Sequence, residues 1–335
     1  MSELRIIVVG YGLIGRQRAA ALANIDGAVL VAIVDPGFDG ASDMSGVPHY
    51  QTLGEIQPDD FDAAVIAVPH DLAAGLASAV LQSGRPVLVE KPLGPTAAEA
   101  RKLEQLASRV SRPSFVGYNY RFLPAVSELA QAVASGSLGT LRNLDLLVGH
   151  GGHPDSAEGW KLDPERAGGG VLLDPGVHLL DLLTCLSPEA RCTAITATRG
   201  FWRTGVEEDL VAIFRADRMI ATVRVSHVRW INTFRIEAFG EDGYAIADGR
   251  GGNYGAMTLR IGRRWAWARP GVAGQRESEA LFDYGTDNQS LAMELQSVVD
   301  VWRSAAQRTA IPRPATMAEA RAVAELCEQL YEQMT

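Results

Sequence analysis

The chain has 335 residues, 47% hydrophobic and 21% charged, and a formal net charge of −9. That length exceeds the ~250–300 residues at which a single core divides, so two domains are expected. The acidic balance argues against nucleic acid or an anionic membrane as the main partner, because both need a basic footprint. Cys185, Cys192 and Cys327 form no CxxC pair or metal-ligand spacing, which suits a reducing compartment and predicts no metal. The opening "MSELRIIVVG" is too short an apolar run for a leader or a membrane span, so the expected location is the cytoplasm.

Short apolar runs at 5–9, 28–35, 61–68, 85–90 and 114–118 alternate with Ala-rich helical segments such as "DLAAGLASAVLQSG", closed by Gly84. Strands that are apolar on both faces predict a parallel sheet covered on both sides, with ligands beyond the carboxyl ends of its strands. This first domain is assigned to residues 1–120. From 121 to 335 the pattern changes. Residues 219–226 alternate Ala221, Val223 and Val225 with Thr222, Arg224 and Ser226, and 208–214, 233–239 and 256–261 also read as strands. The prediction is a second α/β domain on a mainly antiparallel sheet. Loop 249–255, "GRGGNYG", lacks the GK[ST] of a phosphate-binding loop. Leu291, Leu295, Val298, Val299 and Trp302 share one helical face. Thr316 with Glu319 forms a capping box that opens a last helix, expected to pack back on the first domain.

Residues 10–15 read GYGLIG, with Gly10, Gly12 and Gly15 in GxGxxG spacing around Leu13 and Ile14, between a strand and a helix. Gly10 permits the tight turn, Gly12 admits a pyrophosphate, and Gly15 lets helix and strand approach closely. Asp35 ends the next strand, where it would accept hydrogen bonds from ribose hydroxyls and repel a 2′-phosphate. No Lys or Arg occurs from Pro36 to Gln82, leaving only Arg16 and Arg18 to rescue one, so NAD is favoured over NADP.

Three further stretches carry candidate chemistry. "LVEKPLG" ends a strand at Glu90 and Lys91. Its lysine is either a surface turn residue or a group oriented by Glu90 that serves as base or donates to a reacting oxygen. In "AGGGVLLDPGVHLLDLL", Asp174 and His178 share a face if both are helical and would make an acid–imidazole pair. Asp174–Pro175 also reads as a helix cap and first helical residue. In "GYNYRFLP", Asn119 and Arg121 emerge at the domain junction, where Arg121 either positions substrate or pairs with an acid. His150 and His153 lack a third ligand, although their loop could line the cleft, and His49 and His227 read as structural.

The order GxGxxG, EKP, YRF, GGGxxxDxGxH resembles the glucose–fructose oxidoreductase/inositol dehydrogenase (Gfo/Idh/MocA) family along essentially the whole chain. The resemblance implies a Rossmann domain followed by an α/β domain with a large open sheet, often used for homo-oligomerisation. It implies catalytic roles for Lys91, Asp174 and His178, and cofactor contacts at Glu90 and Lys91. "GWKLDPE", 159–165, looks like the family's loop before the triple glycine, which implies substrate contacts at Trp160 and Lys161. After the strand-ending Pro69, the family often has a histidine about where Ala73 stands here; His70 lies nearer the proline, either beside the nicotinamide or as a loop histidine without a ligand. The implied activity is hydride transfer between NAD and a CH–OH group of a sugar, cyclitol or sugar acid. An NAD-using glycosidase and a non-catalytic NAD(H) sensor are the alternatives.

Overall fold

The computed structural model describes residues 3–37, 46–94, 96–152, 164–264, 279–304 and 311–334; Trp160 and Lys161 lie outside the described residues. The apolar runs of the first segment form β1 (Leu4–Val9), β2 (Ala28–Val34), β3 (His49–Tyr50), β4 (Ala63–Ile66), β5 (Val87–Glu90) and β6 (Phe115–Gly117). Helices α1 (Leu13–Leu22), α2 (His70–Gln82) and α3 (Ala97–Ala107) alternate with them. The order β3-β2-β1-β4-β5-β6 is parallel throughout, the doubly wound order of a Rossmann domain. Strand periodicity places Ile6 and Val8 in one apolar cluster and Ile7 and Val9 in another, so both faces are covered. Gly84 follows α2 with φ +79°, the left-handed stop expected after a helix.

The remaining chain forms α4 (Pro124–Ala134), β7 (Leu141–Gly149), α5 (Pro164–Ala167) and α6 (Val177–Leu186). Then come β8 (Arg191–Thr198), β9 (Asp209–Ala216), β10 (Met219–Ser226), β11 (Thr233–Gly240), β12 (Gly243–Asp248), β13 (Thr258–Arg263) and β14 (Ala280–Asp283). These eight strands order as β14-β13-β12-β11-β7-β10-β9-β8, antiparallel except for β7 with β10. Ala221, Val223 and Val225 are fully buried, while Thr222 and Arg224 on the opposite face are half-buried. The buried face carries α4 and α6. The other face is polar in its middle, where Arg235 pairs with Glu237 and Asp248.

The end of the chain returns to the first sheet. Helix α7 (Ser290–Ser304) packs on α1, burying Leu295, Val298, Val299 and Trp302, whose indole N–H donates to Pro113 O at 2.7 Å. Strand β15 (Ala315–Thr316) joins β6 antiparallel, and α8 (Met317–Met334) lies against α3 and α6. Glu319 N donates to Thr316 Oγ1 at 3.3 Å and Thr316 N donates to Glu319 at 2.9 Å, the reciprocal bonds of a capping box. The one described stretch long and apolar enough to cross a membrane, Glu165–Leu186, is 72% buried inside the protein.

Candidate active site

A cleft of about 1120 Å³ runs between the two sheets, beyond the carboxyl ends of β1 and β5. Leu13, Ile14 and Gln17 at the start of α1, next to the glycine turn, line one side of it. Gly10 has φ +91°, and a Cβ there would lie 2.3 Å from Ala67 O. A Cβ on Gly15 would lie 1.9 Å from Gly10 O, so both positions demand glycine for packing. Gly12 differs. It caps α1 without a side-chain bond, and a Cβ there would meet nothing within 4 Å. The amides of the first turn of α1 thus open onto free space beside Leu13 and Ile14, where a pyrophosphate fits.

Asp35, just past β2, accepts from Tyr11 N at 2.6 Å and Gly37 N at 2.8 Å. Each oxygen keeps a lone pair for a ribose hydroxyl. Arg18 cannot serve a 2′-phosphate, because it is fully buried and its guanidinium binds Glu90 at 2.8 Å and Glu294 at 2.5 Å. Arg16 packs over the Tyr11 ring and donates to Tyr11 O at 3.1 Å. These features fit a dinucleotide with an unphosphorylated ribose.

Pro69 caps α2, and His70 is buried there with Nδ1 3.0 Å from Ala167 O. His70 thereby ties α2 to the end of α5, just before the triple glycine, and it is not part of the cleft wall. Glu90 does line the cleft, but its carboxylate is held by Arg18 and does not orient Lys91 as expected. Lys91, at the end of β5, instead makes an ion pair through Nζ with Asp174 Oδ1.

Asp174 is set by the glycines before it. A Cβ on Gly169 would lie 2.0 Å from the Tyr331 hydroxyl and one on Gly170 2.1 Å from Glu207 O. Their absence lets the buried Glu207 accept at Oε1 from Gly170 N, Leu172 N and Tyr331 Oη, at 3.0, 3.1 and 2.8 Å. Asp174 itself has φ −149° and ψ 104°, an extended residue before Pro175. Proline disfavours a helical conformation in the residue preceding it. The expectation that Asp174 and His178 share one helical face is therefore corrected: α6 begins at Val177, and Asp174 stands ahead of it without acting as a side-chain cap. His178, 5% exposed in the first turn of α6, stacks on Tyr120 with centroids 4.0 Å apart and a 12° interplanar angle.

Asn119 reaches the cleft and donates to Ser290 Oγ at 2.7 Å. Arg121 does not. It is fully buried, paired bidentately with Asp181 at 2.8 and 2.6 Å and further with Glu319. Its role as a substrate contact is corrected to the ion pair at the domain junction. Burial raises Asp181 above the usual carboxylate range, although Arg121 pulls it down.

His150 lines the cleft, in keeping with the reading that its loop could do so; Tyr120, His227, Arg250, Tyr254 and Asn288 line it too and were not expected there. The His150 and His227 rings lie 4.3 Å apart, and both line the cleft. Arg250 lies over Tyr254 at 3.8 Å and 5.2 Å from the Tyr120 centroid. The glycine-rich run 249–255 marks a tight loop in the sequence but not where it lands; its positive-φ glycines bring it back over the site.

Comparison with known proteins agrees with this geometry. Residues 4–118 match the family model "Oxidoreductase family, NAD-binding Rossmann fold", and residues 126–246 match the GFO/IDH/MocA C-terminal domain. Inositol 2-dehydrogenase 4 of Saccharopolyspora erythraea is 30% identical, over 79% of this chain and 78% of that protein. The rhizopine catabolism protein MocA of Rhizobium meliloti is 29% identical over 56% of this chain, and the match spans 58% of its length. Among solved structures, GenD2 from gentamicin A biosynthesis in complex with NAD superposes with a TM-score of 0.82 at 24% identity, covering 99% of this chain and 94% of that one. From Rossmann turn to open sheet, the chain belongs to the GFO/IDH/MocA oxidoreductase family.

Proposed function

We propose that the protein is an NAD-dependent dehydrogenase acting on a CH–OH group of a polyhydroxylated sugar, cyclitol or sugar acid. The carrying observation is the ion pair between Lys91 and Asp174, residues 83 positions apart that meet in the cleft between the glycine turn and His178. Bound along α1, NAD supplies the hydride acceptor. The Lys91 ammonium, fixed by Asp174, donates to the reacting oxygen. The imidazole of His178, held flat against Tyr120, takes the hydroxyl proton. Polyol chemistry is also what the inositol 2-dehydrogenase relative is named for.

NAD is the assigned cofactor because Asp35 faces the ribose position while Arg18 is committed to Glu90 and Glu294. We assign self-association to the uncovered sheet face, where Ile213 and Ile220 are 40% and 54% exposed; sedimentation velocity tests it. A cytoplasmic location accords with free cysteines, of which Cys185 and Cys327 have thiols pushed up to about 12 by burial. The function is tested by a screen of sugars, cyclitols and sugar acids with NAD and separately NADP, reading reduced-nicotinamide absorbance. Turnover of a polyol with NAD is expected; tight NAD binding with no turnover across the panel contradicts the reading.

A further inference from the structure

Across the cleft from Lys91 stands a guanidinium that the proposed reaction does not use. Gly249 and Gly251, with φ +72° and +82°, carry Arg250 over the site. A Cβ on Gly249 would lie 2.1 Å from Ala256 O, and one on Gly251 2.6 Å from Thr286 O, so the loop is closely held. A hydrogen-bonded chain fixes it further. Asn119 donates to Ser290 at 2.7 Å, Ser290 Oγ donates to Asn288 Oδ1 at 2.7 Å, and Asn288 Nδ2 donates to Arg250 O at 2.9 Å.

The side chain is half-buried against the faces of Tyr120 and Tyr254. Its Nε is buried without a hydrogen-bond partner, and among the described residues no carboxylate forms an ion pair with it. The other cations of the cleft region are matched, Lys91 by Asp174 and Arg18 by Glu90 and Glu294. Arg250 is left without an ion-pair partner of its own, attracted only at longer range by Asp174, which Lys91 already holds. Cation–π contact with two tyrosines and a hydrogen bond to Tyr254 offset part of the desolvation of a guanidinium but leave its buried Nε without an acceptor. Such a fork, pre-set on rigid aromatic faces, matches a carboxylate or a phosphate. Because Tyr120 touches both Arg250 and His178, the guanidinium lies within about 9 Å of the imidazole, the limit set by the two ring distances. A hexose with its reacting ring hydroxyl at the imidazole and an acidic group at its far end fits within that limit.

We propose that Arg250, on its Tyr120–Tyr254 seat, anchors an anionic group, and that the substrate is an acidic polyol bearing a carboxylate or a phosphate. The inference rests on the dehydrogenase reading for the reaction, but its binding part can be tested without turnover. NAD-saturated wild type, Arg250→Met and Arg250→Lys are titrated calorimetrically with hexuronates, aldonates, hexose phosphates and their neutral parent sugars. Wild type is expected to bind one acid class at least tenfold more tightly than its neutral parent, and the class that wins identifies carboxylate or phosphate. Arg250→Met is expected to lose that preference, Arg250→Lys to keep part of it, and both to bind NAD unchanged. The proposal is overturned if no acid outcompetes its neutral parent, if Arg250→Met keeps the preference, or if its NAD affinity falls with it. Arg250-dependent acid binding without reduction of NAD by any sugar leaves the anchor standing and removes the dehydrogenase reading. Turnover of neutral sugars, indifferent to Arg250, does the reverse.

Discussion

Beneath the site, one guanidinium is shared by two carboxylates, and the pH dependence of stability should report it. Arg18 donates to Glu90 on β5 and to Glu294 on α7, bracing the strand end that carries Lys91. Glu294 is fully buried, and its Oε1 has no hydrogen-bond partner. Burial is the largest influence on it and, with repulsion from Glu90, lifts its carboxyl from 4.5 to about 7 against the pull of Arg18. A folded-state value raised above the unfolded one means stability that is complete below pH 4.5 and lost as pH rises through about 7. At ~1.36 kcal/mol per pH unit, the loss is about 3 kcal/mol. Gln has the shape and hydrogen-bonding pattern of the protonated acid but cannot ionise, so Glu294→Gln removes the pH-dependent part. With an unfolding entropy of ~2.1 cal/mol/K per residue, 3 kcal/mol is roughly 4 °C in a chain of 335 residues. Thermal midpoints of both proteins should nearly coincide at pH 4.5. By pH 8.5 the variant should lead by roughly 4 °C. A gap that does not change with pH, or one that widens toward acid, refutes the reasoning.

Arg121→Met leaves Asp181 buried without its bidentate partner and should cost about 3–5 kcal/mol, with the double variant Arg121→Met/Asp181→Leu recovering most of it in thermal denaturation. If the single variant keeps its midpoint and changes only KM, Arg121 touches substrate after all. Gly15→Ala forces a Cβ against Gly10 O and should weaken NAD binding at least tenfold by fluorescence titration, since rigid backbone on both sides cannot yield. Asp35→Ser removes the charge facing the ribose and should narrow the NAD-over-NADP preference about tenfold in kcat/KM; an unchanged ratio places the discriminating group elsewhere.

Much of this architecture could be read directly from residue order. Strands β1, β2, β4, β5 and β6 were legible because burial on both faces leaves unbroken apolar runs. The glycine turn and the Thr316–Glu319 box were legible because their chemistry is local. Strand β7 was missed although Leu144, Leu146 and Val148 alternate inward, and β8 and β14 were missed because exposed edge strands bury no stripe. The site divides in the same way. Lys91, Asp174 and His178 announce themselves in short motifs, but Arg250 reaches the cleft only through the return of β12, which no local pattern encodes. The two readings of Arg121 could have been decided from the sequence in favour of the acid pair. Asp181 sits in the otherwise apolar "VHLLDLL", and a charge inside a buried helix demands a partner.

The central claim is that Lys91, positioned by Asp174, assists proton removal by His178 while NAD accepts the hydride. Its most direct measurement is the rate of NAD reduction by the best polyol substrate in wild type and Lys91→Ala, each saturated with NAD at its own measured Kd. The account predicts a fall of about 10²–10⁴-fold with NAD affinity unchanged. A Lys91→Ala enzyme that binds NAD normally and turns over as fast as wild type contradicts it.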